Sequence, residues 1–174
     1  MVIKQHIGSV YKILRETTRY GWQRLRHGKD ERSPVLPDEF VLRRIHRNNY
    51  NASLPTPVKR PAFEPSKEDH DGLSLHREVF ISAKKLGWCG RSPGEYYVAR
   101  FSITELAADE AHLTVIPAPD IDQPSGHSVI PELKTGSATK PIQKRLASMC
   151  TDRIVYRPPP PKTSTTLPTI EPLN

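Results

Sequence analysis

Long apolar runs are missing from this chain of 174 residues. No stretch approaches the ~18 consecutive apolar residues that a membrane-spanning helix needs. The first sixteen residues, MVIKQHIGSVYKILRE, contain no uninterrupted apolar segment of the kind that a secretory signal carries. We therefore expect no transmembrane segment, no secretory signal and a cytoplasmic location.

Cysteine is also scarce, with Cys89 and Cys150 the two in the sequence. Two cysteines are too few for a disulfide framework, and a structural zinc site usually needs four Cys or His ligands at close spacing. The sequence therefore predicts reduced thiols, no metal site and no cofactor.

Aromatic residues make up 7% of the chain and hydrophobic residues 36%, while proline is abundant with 18 residues. This composition supports a core over part of the chain only, and the apolar residues concentrate between Phe40 and Leu133. We expect residues 37–133 to form the core domain. Residues 1–36 are predicted to be a basic amphipathic helix and linker, and residues 134–174 a short basic helix and a disordered, proline-rich tail.

Alternation of apolar and polar side chains predicts an α+β fold with little helix. The expected sheet is small and mostly antiparallel, with four to six short strands. Ser82 is expected to cap a short helix that Gly87 ends. The predicted strands cover Phe40–His46, Leu73–Phe80, Tyr96–Ile103, Leu113–Pro117 and His127–Leu133.

The charge of the chain is one-sided, with a formal net charge of +7 and an isoelectric point of about 9.5. A basic surface favours partners that carry phosphate, such as nucleic acid or a nucleotide. In the predicted N-terminal helix, Lys12, Arg15 and Arg19 are candidates for phosphate contacts. This helix or the proline-rich tail could equally bind a protein partner.

Arginine also occurs on faces of predicted strands that are otherwise apolar. Arg44, Arg77 and Arg100 each share such a face with apolar side chains. A guanidinium in these surroundings needs a partner or a route to water. The three could line a cleft that grips phosphate or carboxylate, although ordinary surface cations would give the same pattern. The phosphate ligands predicted in the core are Arg43, Arg44 and Arg100.

The densest run of reactive side chains is EDHDGLSLHRE, Glu68–Glu78. Its Asp-Gly pair is a turn signal, so His70 lies on a loop, whereas His76 and Arg77 point to opposite faces of a strand. His127 opens a later strand behind a glycine, a position suited to proton transfer. The candidate catalytic residues are His70, His76, Arg77, His127 and Glu132.

Three functional hypotheses follow from these residues. The leading one is binding of a phosphate-bearing ligand, with nucleic acid as the first choice. The second is a metal-independent phosphodiesterase or ribonuclease, in which histidines exchange protons and arginines hold the phosphate. The third is an adaptor or antitoxin-like protein that binds its partner through the appended segments.

A fourth hypothesis comes from the order of three residue types along the chain: an arginine on the first core strand, a serine on the second and a glutamate late in the domain. This order is loosely similar to that of the ADP-ribosyltransferases, with Arg43 or Arg44, Ser74 and Glu132 as the matching positions. The resemblance implies an NAD-dependent enzyme. The chain lacks that family's Ser-Thr-Ser run and its paired glutamates.

Overall fold

The computed structural model describes residues 30–66, 69–90, 92–134 and 139–160. Within these ranges, six strands form one antiparallel sheet in the order β4-β5-β2-β1-β3-β6. The strands are β1 (Phe40–His46), β2 (Leu73–Arg77), β3 (Tyr96–Ser102), β4 (Ile116–Pro117), β5 (His127–Ile130) and β6 (Ile154–Tyr156). Three α-helices accompany them in the same ranges: α1 (Ala83–Trp88), α2 (Ile103–Ala108) and α3 (Lys140–Met149).

This arrangement confirms the predicted α+β fold with one small antiparallel sheet of short strands. The predicted N-terminal helix with Lys12, Arg15 and Arg19 lies outside the described residues, as does the tail from residue 161 onward. None of the helices in the described ranges is long and apolar enough to cross a membrane.

β1 lies near the middle of the sheet and pairs with both β2 and β3. Its pairing with β3 runs from Phe40 opposite Ser102 to His46 opposite Tyr96. The strand predicted over Phe40–His46 is confirmed, because a seven-residue segment of alternating side chains, rich in branched and aromatic types, suits a strand that is buried on both sides.

The two faces of the sheet are covered differently. The larger core lies on the face that carries Val41, where α2 and α3 pack. On the opposite face, Leu42 belongs to a smaller cluster with Leu86 of α1. Since α1 contacts β1, β3 and β6, the half of this face formed by β2 and β5 is left to loops, and the candidate site lies there.

α1 begins where the sequence predicts, because the Ser82 hydroxyl accepts a hydrogen bond from the backbone N–H of Lys85. The helix does not end at Gly87 but continues to Trp88. Gly87 faces the ring of Tyr156, and a Cβ at this position would collide with that ring. The glycine therefore serves the packing of α1 on β6 and is not the helix terminator that the sequence suggests.

Residues beyond Leu133, where the sequence places a domain boundary, pack on the same core as the residues before it. Leu146 and Cys150 join the main hydrophobic cluster, and β6 pairs with β3 at the edge of the sheet. β6 is missing from the predicted strands because three residues beside a proline run show too little alternation.

A buried ion pair fixes residues 30–39 to the end of β2. Arg77 donates from Nε and Nη2 to the two carboxylate oxygens of Glu39, each at 2.7 Å, and both side chains are almost fully buried. Arg77 also donates to the backbone carbonyl of Ser33 at 2.8 Å. This pair accounts for an arginine on an apolar strand face, and its partner lies 38 residues away in sequence.

Candidate functional site

A cavity of about 910 Å³ opens over the half of the sheet formed by β2 and β5. Its floor consists of Ser74 from β2 and of His127 and Val129 from β5. Its walls are two loops, one with residues 69–72 before β2 and one with residues 118–123 between β4 and β5. The cavity is therefore positioned by the pairing of β2 with β5, in which Ser74 lies opposite Val129.

The first wall depends on Gly72, the residue just before β2. Its φ is +139°, and a Cβ at this position would collide with the backbone carbonyl of Ile130. Glycine permits both the backbone conformation and the close approach to β5. The loop can therefore turn back over the strand, which brings Asp69 within hydrogen-bond distance of Ser74.

Three side chains form a hydrogen-bonded chain at the floor of the cavity. The Ser74 hydroxyl donates to Asp69 Oδ1 at 2.6 Å, and Ser74 Oγ lies 3.2 Å from His127 Nε2. The other ring nitrogen of His127, Nδ1, lies 2.6 Å from the carbonyl oxygen of Ala118. The imidazole is thus held at both nitrogens, between the second loop and Ser74.

The protons of this chain can be assigned from donor and acceptor chemistry. The Ala118 carbonyl only accepts, so Nδ1 of His127 carries a proton and donates to it. The single Ser74 proton goes to the Asp69 carboxylate, which is the shorter and charge-assisted contact. The serine hydroxyl therefore lies between Nε2 of His127, at 3.2 Å, and the Asp69 carboxylate, at 2.6 Å.

Asp69 is the negative end of the chain. Burial acts to raise the pKa of this carboxyl, but hydrogen bonds from the Ser74 hydroxyl and from Ser66 outweigh burial and hold the pKa below its ordinary value. The backbone N–H of Ser66 donates to Asp69 Oδ2 at 2.9 Å. Asp69 is therefore ionised at neutral pH.

His76 lies beside His127 on the neighbouring strand, with the ring centroids 5.5 Å apart. Burial, helped by the positive charge of Arg44, lowers the pKa of His76 to about 3. The ring is neutral at neutral pH, and its Nδ1 donates to the carbonyl of Pro124 at 3.2 Å. Through this hydrogen bond His76 holds the connection between β4 and β5 in place. His76 is not among the described residues that line the cavity.

The cavity is acidic. None of the described residues that line it is lysine or arginine. Lys67 and Glu68, which precede Asp69 in the sequence, lie outside the described residues. The described part of the chain holds 16 Lys and Arg against 16 Asp and Glu, so the negative charge is a local feature. Four aspartates line the cavity: Asp69, Asp71, Asp120 and Asp122.

The arginines predicted to bind phosphate are not gathered at this cavity. Arg43 and Arg44 are neighbours in β1 and point to opposite faces of the sheet. Arg43 donates to the backbone carbonyls of Ala62 and Ser74, and burial lowers its pKa to about 10. Arg44 donates to the carbonyl of Cys89 at 3.0 Å.

Arg100 and Glu132 also have partners elsewhere. Arg100 donates to Glu78 from Nε at 2.9 Å and from Nη2 at 2.7 Å, and its guanidinium lies over the ring of Phe40. Glu132 accepts hydrogen bonds from the backbone N–H and the hydroxyl of Thr114. Neither residue lines the cavity.

The structure brings two of the five candidate catalytic residues, His70 and His127, to the cavity. His76 lies behind His127, while Arg77 lies on the opposite face of the sheet in its ion pair. None of the four lining aspartates is among the site residues predicted from the sequence. The sequence signals for them are an aspartate directly before His70 and the Asp-x-Asp pattern of Asp120–Asp122 in a connection rich in proline and glycine.

Within the described ranges, no group of three or more His, Cys, Asp or Glu side chains is arranged to hold a metal ion. No protein-family model, curated protein or solved structure matches the chain. The charge, the hydrogen bonds and the size of the cavity are therefore the properties that indicate its ligand.

Proposed function

We propose that the protein binds a small organic cation, an amine or guanidinium compound, in the cavity above Ser74 and His127. The observation that carries this proposal is the charge of the lining: four aspartates and, among the described lining residues, no lysine or arginine. The proposal replaces phosphate with a cation as the ligand of this cavity, although the chain as a whole is basic.

Amine and guanidinium groups suit this lining because they are hydrogen-bond donors without acceptors, whereas ionised carboxylates are acceptors only. Hydrogen bonds between such charged partners are about twice as strong as neutral ones. The cavity volume of about 910 Å³ also lies in the range of small-molecule sites. In this proposal Asp71, Asp120 and Asp122 hold the cationic group, and Ser74 and His127 contact the rest of the ligand.

The same lining argues against placing a phosphodiester or NAD in this cavity. Each phosphate would enter beside several carboxylates, and like charges at short range cost free energy that no described lining cation offsets. No specific contact among the described residues favours the phosphodiesterase, ADP-ribosyltransferase or adaptor hypotheses over the binding of a cation.

Three probes of the same chain length test the proposal: butane-1,4-diamine, butane-1,4-diol and succinate. We expect the diamine to raise the Tm of the protein by about 5–10 °C at a hundredfold excess over its Kd. The diol and succinate should leave the Tm unchanged. Equal stabilisation by the diol, or none by the diamine, would overturn the proposal.

A variant and a matched control locate the effect. Asp120→Asn with Asp122→Asn removes two negative charges but keeps an acceptor for the turn that Asp120 caps. This double variant should lose most of the response to the diamine. Glu110→Gln, which removes a carboxylate whose side chain is 85% exposed and outside the cavity, should retain the response.

As a second function we propose binding of a phosphate-bearing partner, with nucleic acid as the first choice, through residues 1–29. The observation that favours it is the segregation of charge: residues 1–29 hold seven Lys and Arg against one Glu, while the described residues are balanced. We place both functions in the cytoplasm, where the free thiols of Cys89 and Cys150 match a reducing compartment.

The salt dependence of binding tests the second function. Replacing Lys12, Arg15 and Arg19 together with alanine should weaken binding to a single-stranded oligonucleotide and reduce the slope of log K against log salt by about 2. The control variant, with Lys59, Lys140 and Lys144 replaced by alanine, should change the slope by less than about 1. Equal effects of the two triple variants would contradict a role for residues 1–29.

A further inference from the structure

We propose that Trp88, Lys84 and Lys85 of α1 form a base-stacking platform for single-stranded nucleic acid. This inference rests on the second proposed function, because it names a place in the folded domain where such a partner would be held. In it, one nucleobase lies against the Trp88 indole, and the neighbouring phosphates meet the two ammonium groups.

The platform is a shallow cavity of about 380 Å³ on the outer side of α1. Trp88 is 49% exposed, which is unusual for so large an apolar side chain. Lys84 and Lys85 precede it by four and three positions, so the three side chains project from neighbouring turns of one helix face. The lining residues of this cavity are Ser82, Lys84, Lys85, Trp88 and Cys89.

The loop that follows α1 supports the indole. Gly94 has a φ of +76°, and a Cβ built there would lie 3.5 Å from the six-membered ring of Trp88. The backbone N–H of Gly94 donates to the carbonyl of Gly87 at 3.3 Å, which ties this loop to the helix. The indole is thus placed against a backbone with no side chain in between, and about half of its surface is left for a ligand.

The charge around Trp88 is positive. Within the described part of the chain, neither Lys84 nor Lys85 makes an ion pair, and no Asp or Glu lines this cavity. The guanidinium of Arg44 lies next to it, since Arg44 donates to the carbonyl of Cys89. An aromatic face beside unpaired cations is the combination that proteins use to bind single strands without sequence preference.

These two features together favour nucleic acid over an acidic peptide as the occupant. Carboxylates of a peptide could pair with the lysines, but they would leave the indole uncovered. A single strand satisfies both features at once, because each nucleotide carries a planar base and a phosphate. The acidic cavity lies over the other half of the same sheet face, and its carboxylates would keep an anionic strand on the side of α1.

Tryptophan fluorescence tests this proposal, because the chain has only two tryptophans. In the full-length Trp22→Phe variant, Trp88 is the one remaining tryptophan. We expect saturable quenching of its fluorescence by a twelve-residue oligothymidylate. Heparin, a polyanion without bases, should compete for binding without quenching. Free thymidine monophosphate distinguishes a mononucleotide site from a site for a single strand. Quenching by the monophosphate at a concentration similar to that of the oligonucleotide would assign the platform to mononucleotides and overturn the assignment to a strand.

Three further variants measure the strength of the contact. Trp88→Ala should weaken oligonucleotide binding by about 5- to 100-fold, whereas Trp88→Phe should retain most of it, because a phenyl ring still stacks. Replacing Lys84 and Lys85 with glutamine should reduce the salt slope by about 1.4.

Failure of the platform is distinguishable from failure of the second proposed function. If the oligonucleotide binds and depends on Lys12, Arg15 and Arg19, but Trp88 fluorescence and the Trp88→Ala affinity are unchanged, the platform is wrong and the role of residues 1–29 stands. If no oligonucleotide binds at any salt concentration, both proposals are contradicted.

Discussion

Ser74 and His127 lie on the paired strands β2 and β5, with Ser74 Oγ 3.2 Å from His127 Nε2, and the serine proton goes to the ionised Asp69. This relationship places a histidine, a hydroxyl and a carboxylate in one hydrogen-bonded chain at the floor of an acidic cavity. The chain has a net charge of +7, but the described residues that line this cavity include four aspartates and no lysine or arginine.

Loss of Ser74 should weaken the hydrogen-bonded chain without abolishing the fold. Ser74→Ala removes the donor to Asp69 and the hydroxyl that lies 3.2 Å from His127 Nε2, and we expect a loss of about 1–2 kcal/mol in the free energy of unfolding. Urea denaturation measures this loss. Ser148→Ala is the matched control, since that exposed hydroxyl bonds only to a carbonyl in its own helix, and it should cost less than about 0.5 kcal/mol.

His76 should make the stability fall in acid. The unfolded ring titrates near its ordinary pKa of 6.5, whereas burial lowers the pKa in the folded protein to about 3. Between these values the unfolded state takes up a proton that the folded state does not, so stability falls by up to about 1.4 kcal/mol per pH unit as the pH drops below 6.5. Above pH 6.5 the contribution is constant.

The variant His76→Asn isolates this effect, because asparagine can donate to the Pro124 carbonyl but does not titrate. The difference in unfolding free energy between the wild type and the variant should be constant above pH 6.5 and should shrink as the pH falls below it. A difference that does not change with pH would show that His76 does not have the lowered pKa.

The ion pair of Glu39 with Arg77 should be worth far more than the pair of Glu78 with Arg100. Glu39→Gln leaves the guanidinium buried without its counter-charge, and we expect a loss of about 3–5 kcal/mol in unfolding free energy. Glu78→Gln acts on a pair whose side chains are 33% and 36% exposed, and its loss should stay below about 1 kcal/mol. Similar losses for the two variants would contradict the buried geometry.

The two cysteines should differ in reactivity. Burial raises the pKa of the Cys150 thiol to about 12, and the residue is fully buried in the main core. Cys89 is partly exposed and lines the shallow cavity beside Trp88 on the outer side of α1. A thiol reagent at neutral pH should therefore label one thiol per native chain, and peptide mapping should identify it as Cys89. Rapid labelling of Cys150 would contradict the packing of α3 and β6 on the core.

The sequence predicts a helix or strand well where the residues that determine it lie within the same short stretch of chain. The strand at Phe40–His46 follows from its alternation, and the start of α1 follows from the capping hydroxyl of Ser82. Gly87 misled the prediction of the helix end, because the reason for that glycine is the ring of Tyr156, which is remote in sequence.

The site was predictable only in part, for the same physical reason. His127 and His70 could be identified as residue types in suitable positions, but their surroundings depend on the register of β2 with β5 and on the turn that Gly72 permits. The partner of Ser74 is Asp69, which lies on the loop before β2. The negative charge of the cavity comes from aspartates on two loops, and neither loop shows a periodic pattern in the sequence. Arg77 resembled a phosphate ligand because its partner, Glu39, lies 38 residues away.

The most direct test of the cation-binding cavity is an NMR titration of the ¹⁵N-labelled protein with butane-1,4-diamine, with resonances assigned for the His127 ring, the Asp120–Asp122 backbone and the Trp88 indole. We predict saturable shifts at His127 and at Asp120–Asp122, no shift at Trp88, and no saturable shifts with butane-1,4-diol or succinate. Shifts that the diol or succinate reproduces, or a diamine titration that leaves His127 and Asp120–Asp122 unmoved, would contradict the cavity as a site for an organic cation.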